Sequence, residues 1–118
     1  MDSILTSIKK LLGIAEEYKH FDTDLIMHIN SALSVLTQLG VGPSDGFRIT
    51  DESTIWSEFI SEDQDLEVIK SYIYLKVKLL FDPPLSSAVM ESTNRMISEF
   101  EWRIQVKADP PLTNITDS

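Results

Sequence analysis

Residues 66–85, LEVIKSYIYLKVKLLFDPPL, decide the fold of this 118-residue chain. Apolar side chains recur at helical spacing along this stretch, at Leu66, Ile69, Ile73, Val77 and Leu80. Further tyrosine and leucine residues widen the apolar stripe, so we predict a long helix to about Phe81 that is central in a bundle or shared with another subunit. The adjacent prolines remove two backbone donors and force the residue before them out of the helical region, which makes DPPL a hard stop.

The same tetrapeptide occurs again at 109–112, and the two copies have different surroundings. The first copy is followed by a second helix, which Ser86 or Ser87 caps, whereas the second is followed only by a short polar segment. We predict that the inner face of this last helix is formed by Val89, Met90, Thr93, Met96, Ile97, Phe100 and Ile104. The chain should therefore consist of a helical domain, residues 1–108, and a flexible C-terminal tail, residues 109–118.

Two helices and a short turn region precede the quoted stretch. The first should be capped by Asp2 or Ser3 and either stop at Gly13 or continue after a kink through residues 14–18. The second should run from Asp22 or Thr23 to a stop at Gly40. Residues 47–49 are predicted to be extended, and a brief helix capped by Thr54 follows. The predicted fold class is all-α, a small bundle of four to five helices with a long C-terminal antiparallel helix pair and a flexible tail.

Composition places the chain among soluble single domains. Apolar residues make up 42% and charged residues 25%, and no apolar run approaches the length of a membrane span. The start of the chain lacks the basic and small-residue features of a secretory signal. There is no cysteine, which excludes disulfides, thiolate metal sites and a cysteine nucleophile. We therefore expect no membrane partner.

The formal charge of −9 is concentrated in one acidic stretch. Residues 51–67 contain no Lys or Arg and seven carboxylates: Asp51, Glu52, Glu58, Glu62, Asp63, Asp65 and Glu67. Tight binding of duplex DNA needs several cations against its phosphates, so this charge disfavours a DNA-binding regulator. The ordinary interpretation of such a stretch is a solvated surface that keeps the protein soluble.

No pattern of catalytic or ligand-binding residues emerges. His20 and His28 stand eight residues apart without the companions that a metal site needs, and no glycine-rich loop or nucleophile elbow is present. We predict a protein that is not an enzyme and has no catalytic residues, metal or cofactor.

Two tryptophans suggest a binding module, because tryptophan and arginine are enriched where proteins meet. Trp56 is best interpreted as a cap on the core. Trp102 sits off the main core direction near Arg95, Arg103 and Lys107, so it is open both to core capping and to contact with a partner. An acidic stretch and a locally basic helix end would also suit a head-to-tail contact between identical copies.

Several segments together resemble one known family. They are YIYLKVKLLFDPP at 72–84, INSAL at 29–33, QLGVGP at 38–43 and EFEWR at 99–103. With these motifs the chain resembles the head–tail connector proteins of tailed bacteriophages, also called head-completion or adaptor proteins, which are widespread in prophages. The resemblance covers most of residues 1–107, and its motifs are structural rather than catalytic.

The resemblance implies a structural virion protein at the head–tail junction, present in the bacterial cytoplasm during assembly. Such a protein forms a homo-oligomeric ring beneath the portal protein, extends the DNA channel and offers a docking surface to a tail-side protein. DNA then passes without sequence-specific binding, and an anionic wall would let it slide. We expect part of the acidic stretch at the channel or its rim.

The resemblance also implies an interface at the end of the chain, because the C-terminal segment in this family commonly contacts the portal or neighbouring subunits. The predicted subunit or portal interface comprises Arg95, Trp102, Arg103, Lys107, Asp109, Pro110, Pro111 and Leu112. The main alternative is an acidic helical interaction module, or a regulator that mimics DNA and pairs its acidic face with a basic partner.

Overall fold

The computed structural model describes residues 3–61 and 65–108, and over this part the chain is built from helices. They are α1 (Ile4–Leu12), α2 (Asp22–Gln38), the single-turn α3 (Trp56–Phe59), α4 (Leu66–Phe81) and α5 (Ser87–Ala108). The β-pairing in these residues is limited to an isolated antiparallel bridge between Ser3 and Ile55. The predicted all-α class with a long C-terminal helix pair is confirmed.

Local chemistry sets the helix ends. The Ser3 hydroxyl accepts a hydrogen bond from the Thr6 N–H at 2.9 Å and caps α1. Gly13 ends that helix with φ +79°, a left-handed conformation that glycine adopts at little cost. The Ser86 hydroxyl faces the Val89 N–H at 3.4 Å and begins α5, as predicted. The brief helix α3 differs, because its cap position is Ile55 rather than Thr54.

Helix α4 is the centre of the bundle. It packs against α1, α2 and α5, and its side chains Tyr72, Ile73 and Val77 are fully buried. This arrangement explains why its sequence is apolar on more than one side, since three neighbours remove water from it. Of the two alternatives for this helix, the structure supports the central position.

The segment between α2 and α4 closes one side of the core. Its residues Val41, Ile49, Trp56 and Phe59 are buried. The Asn30 side chain holds the segment to α2, because its Nδ2 donates to the Ile49 carbonyl at 2.9 Å and its Oδ1 accepts from the Ile49 N–H at 2.8 Å. The paired bonds satisfy both backbone groups of a buried residue, which would otherwise be costly.

A buried lysine holds the loop between α1 and α2. The Lys9 side chain is 2% exposed, and its Nζ donates to the carbonyls of Glu16 at 2.9 Å and Tyr18 at 2.7 Å. The same Nζ lies 2.8 Å from Asp22 Oδ1. That oxygen meets the ammonium as an ion pair, and no described donor reaches it in hydrogen-bond geometry. The buried Lys9 ammonium is thus surrounded by three oxygens, which replace the water that it loses on burial.

Helix α5 is held much less tightly. Only Ile97 and Ile104 are buried among its described side chains, and the Tyr72 hydroxyl adds a hydrogen bond to Glu101 Oε2 at 2.8 Å. The prediction that Val89 and Met96 lie on the inner face was wrong, because they are 51% and 48% exposed. With α4 as its main neighbour, α5 has too narrow a contact to cover both residues.

Candidate interaction surfaces

The described carboxylates of the acidic stretch are exposed. Asp51 and Glu52 lie in the loop before α3, Glu58 lies in α3, and Asp65 and Glu67 lie at the start of α4. Glu62 and Asp63 fall outside the described residues. The set therefore comes from two places in the fold, and its predicted position at a channel or rim stays a prediction.

Most of these carboxylates also have a local contact. Asp51 accepts hydrogen bonds from the hydroxyl and then the N–H of Ser53, and these bonds, in that order of importance, lower the pKa of the Asp51 carboxyl. Glu58 accepts from the Ile55 N–H at 2.9 Å, Asp65 accepts from the Val68 N–H at 3.3 Å, and Glu52 lies 3.6 Å from Lys19 Nζ. Capping and pairing account for part of this acidity without any partner.

The predicted interface residues on α5 are all at the surface where they are described. Trp102 is 65% exposed, and Arg95 and Lys107 are exposed as well. Arg103 Nη2 donates to Glu99 Oε1 at 2.8 Å, one turn earlier on the helix. Because most of its side chain is exposed, Trp102 is not part of the core, whereas Trp56 is fully buried. Asp109, Pro110, Pro111 and Leu112 lie outside the described residues.

The basic end of α5 meets part of the acidic stretch inside one chain. Arg103 and Lys107 line a crevice of about 160 Å³ together with Asp65 at the start of α4. Opposite charges therefore already lie on the same side of one subunit, and the ion pair described for Arg103 is with Glu99. A contact between copies needs other surfaces as well.

One such surface is a row of exposed residues along α5, which we call the α5 strip: Val89, Ser92, Met96, Glu99 and Arg103. Their spacing of three and four places them on one side of the helix. Val89 and Met96 are among the large exposed apolar side chains of the described chain. Met96, Glu99 and Arg103 also line a shallow hollow of about 200 Å³ with Phe100.

A second surface is a groove of about 710 Å³ between α2 and residues 46–48, which we call the α2 groove. Its α2 side includes Thr23, Met27, Ser31, Ser34 and Gln38, and its other wall includes Phe47 and Arg48. Arg48 is the only charged residue that lines it within the described chain. A sequence signal does exist for this surface, because residues 25–44 contain no Asp, Glu, Lys or Arg. This uncharged segment was not predicted to be an interaction surface, because only charged residues and tryptophans were considered as signs of one.

Among residues 3–61 and 65–108, no three His, Asp or Glu side chains come together as metal ligands would. No helix in the same ranges is both long and apolar enough to cross a membrane.

The described residues form a small helical domain whose notable features are exposed faces of the kind that protein partners cover. The sequence matches the family model of the phage connector protein over residues 4–111, and the chain belongs to that family. Searches of curated proteins and of solved structures gave no match. The chain is therefore a structural phage protein of the head–tail connector family, which implies incorporation into the virion and contact with other head or tail proteins.

Proposed function

We propose that this connector assembles as a ring of identical copies under the phage portal, where it extends the DNA channel and joins the head to the tail. Family membership over residues 4–111 is the observation that carries the proposal. The exposed α5 strip and Trp102 support it, because a helix with so few buried side chains gains stability when a partner covers it.

The acidic stretch suits a channel through which DNA slides. A net charge of −9 repels phosphates, whereas a protein that grips duplex DNA must neutralise them with cations. In this proposal part of the set Asp51, Glu52, Glu58, Glu62, Asp63, Asp65 and Glu67 faces the channel or its rim. A structure of the assembled ring that places all seven carboxylates on the outer wall contradicts this part of the proposal.

The direct test is binding to the portal protein of the same phage. A tagged connector is mixed with purified portal, and the complex is isolated and examined by electron microscopy. We expect rings of the connector on one end of the portal. Failure to bind the portal, together with capture of a basic partner that DNA displaces, would instead support the DNA-mimic alternative.

The C-terminal segment has its own test. We propose that residues 1–108 form the helical domain and residues 109–118 a tail that contributes to portal attachment. A chain stopped after Lys107 should keep its circular dichroism and melting temperature but bind the portal more weakly. A chain stopped after Leu112 keeps the second DPPL copy and serves as the matched control. Equal portal binding by the full-length chain and the two shortened chains contradicts a role for the tail.

A further inference from the structure

We propose that the α5 strip of one copy packs lengthwise into the α2 groove of the next copy, with the two helices antiparallel so that Ser92 lies near Ser34. The inference rests on the proposed ring and names the two surfaces that would join its subunits. The occupant of the groove is thus a second copy of this chain, and the contact is heterologous, since two different surfaces meet.

Charge is the first argument. Copies that each carry −9 repel one another, so association is favoured where their surfaces are least charged. The α2 groove carries a single described charge, the cation Arg48. Helix α5 is neutral, because Glu91, Glu99 and Glu101 balance Arg95, Arg103 and Lys107. A second acidic copy can bring α5 to the groove at little electrostatic cost, and Arg48 favours the carboxylates that α5 carries.

Size is the second argument. From Val89 to Arg103 the α5 strip extends about 21 Å, and from Thr23 to Gln38 the α2 groove extends about 22 Å, at the usual rise of a helix. The groove presents the small side chains of Ser31 and Ser34 between the longer Met27 and Gln38. Small residues let a second helix approach closely, and the flexible methionines can fill the space that remains.

Exposed apolar surface is the third argument. Met27 in the groove is 58% exposed, and Val89 and Met96 on the strip are exposed to a similar extent. Packing these side chains against one another removes apolar area from water on both copies at once. Because the groove and the strip lie on different helices of the chain, each copy can use both, and such contacts close into a ring when the rotation permits.

The absence of native cysteine makes the contact directly measurable. One copy carries Ser34→Cys in the groove, the other carries Ser92→Cys on the strip, and a short bis-maleimide traps their contact. The matched control replaces the second change with Ser98→Cys, an exposed serine on a different side of α5. We expect about tenfold more hetero-cross-link from the 34–92 pair than from the 34–98 pair, because contact raises the local concentration.

Each outcome decides between contacts. The yield is measured in concentrated solution and on the isolated portal complex. The inference is overturned when the 34–92 yield is no higher than the control yield under both conditions. Efficient cross-linking of Ser92→Cys to itself also overturns it, because that result indicates a symmetric pairing of α5. Rings that form without the 34–92 product refute the proposed contact between the α5 strip and the α2 groove, but leave the proposed ring and head–tail role standing. The 34–92 product without portal binding refutes the head–tail role alone.

A complementation experiment tests the same contact without cysteine. Met27→Lys places a charge in the groove and Met96→Lys places one on the strip, so each variant alone should remain monomeric. Each variant still has one intact surface, so their mixture should form dimers and nothing larger. Leu11→Lys, a change at another exposed apolar residue, should assemble like the wild type. A mixture that stays monomeric beside an assembling wild type contradicts the proposed pairing.

Discussion

The first helix and the last helix of this protein are buried to very different extents. Six of the nine residues of α1 are buried, including a lysine, whereas α5 buries two of its described side chains along 22 residues. Both helices contact α4, but α1 also packs against α2. The N-terminal body of α1, α2, α3 and α4 therefore carries most of the stability of the fold, while α5 has a large area left for partners.

Replacing each tryptophan by alanine gives the largest expected contrast. Trp56 is fully buried, and its Nε1 donates to the Ser7 hydroxyl at 2.9 Å. Trp56→Ala should lower the free energy of unfolding by about 3–5 kcal/mol, because it leaves a cavity and a broken hydrogen bond. Trp102→Ala should change it by less than about 0.5 kcal/mol. Urea denaturation followed by circular dichroism measures both, and equal losses would remove the proposed difference between the two regions.

Removing the buried charge should have the next largest effect. Lys9→Met leaves the carbonyls of Glu16 and Tyr18 and the Asp22 carboxylate without their cation, which should cost about 3 kcal/mol of unfolding free energy. Lys10→Met, at the exposed neighbouring position, should cost less than about 1 kcal/mol. The same denaturation series compares the two variants. A stable Lys9→Met protein would show that the loop needs no central cation.

A glycine pair separates steric overlap from backbone strain in the N-terminal body. Gly42 and Gly13 share φ +79°. A Cβ atom at Gly42 would lie 2.5 Å from a ring carbon of Phe59, whereas at Gly13 it would have no described atom within 4 Å outside the two adjacent residues. Gly42→Ala should therefore destabilise the fold by about 1–2 kcal/mol more than Gly13→Ala. Thermal unfolding measures the difference. Equal melting temperatures for the two variants would mean that Phe59 moves aside freely.

The smallest stability effect concerns the junction between α4 and α5. Tyr72→Phe removes the hydroxyl that donates to Glu101, at a cost of about 1 kcal/mol. Burial first, and then the hydrogen bond and charge of Glu101, raise the pKa of Tyr72. Because the folded-state pKa is the higher one, this stability is present below the usual tyrosine value of about 10 and is lost as the pH rises above it.

The pH dependence of Tyr72→Phe tests this account of the junction. Urea midpoints of the wild type and the variant should converge as the pH rises above about 10, because the Tyr72 phenol then ionises in the unfolded wild type but stays protonated in the folded protein. Parallel curves would show that the phenol makes no pH-dependent contribution.

Sequence reasoning predicted the elements that depend on local chemistry. Serine caps, the stop at Gly13 and the Pro-Pro turn act within a few residues, so α1, α4 and the start of α5 were predicted correctly. The central position of α4 was one of the two alternatives that its wide apolar stripe allowed. Val89 and Met96 were misplaced because helical spacing shows that a residue is apolar but not whether a neighbour covers it. That outcome depends on how many helices pack around α5.

The interaction surfaces were only partly predictable. The exposure of Trp102 was foreseen as one of two alternatives, because it lies off the inner stripe. The α2 groove was not foreseen, because one of its walls is a loop far along the chain. Asn30 in α2 holds that loop by its hydrogen bonds to Ile49, 19 residues later in the sequence. The crevice lined by Asp65, Arg103 and Lys107 was not predicted either. The antiparallel pairing of α4 and α5 was predicted, but helical spacing alone does not give the register at which the two helices lie side by side.

The position of Lys9 makes this side chain an internal reporter of local opening. Its amine faces three oxygens and almost no water, so an amine-reactive reagent can modify it only when α1 separates from the loop that follows. The labelling rate of Lys9, read peptide by peptide in a mass spectrometer, then follows the frequency of that opening. The labelling rate of Lys9 can be compared between the isolated chain and the chain bound to its partners. A lower rate in the bound chain would show that assembly at distant surfaces reduces the opening of α1.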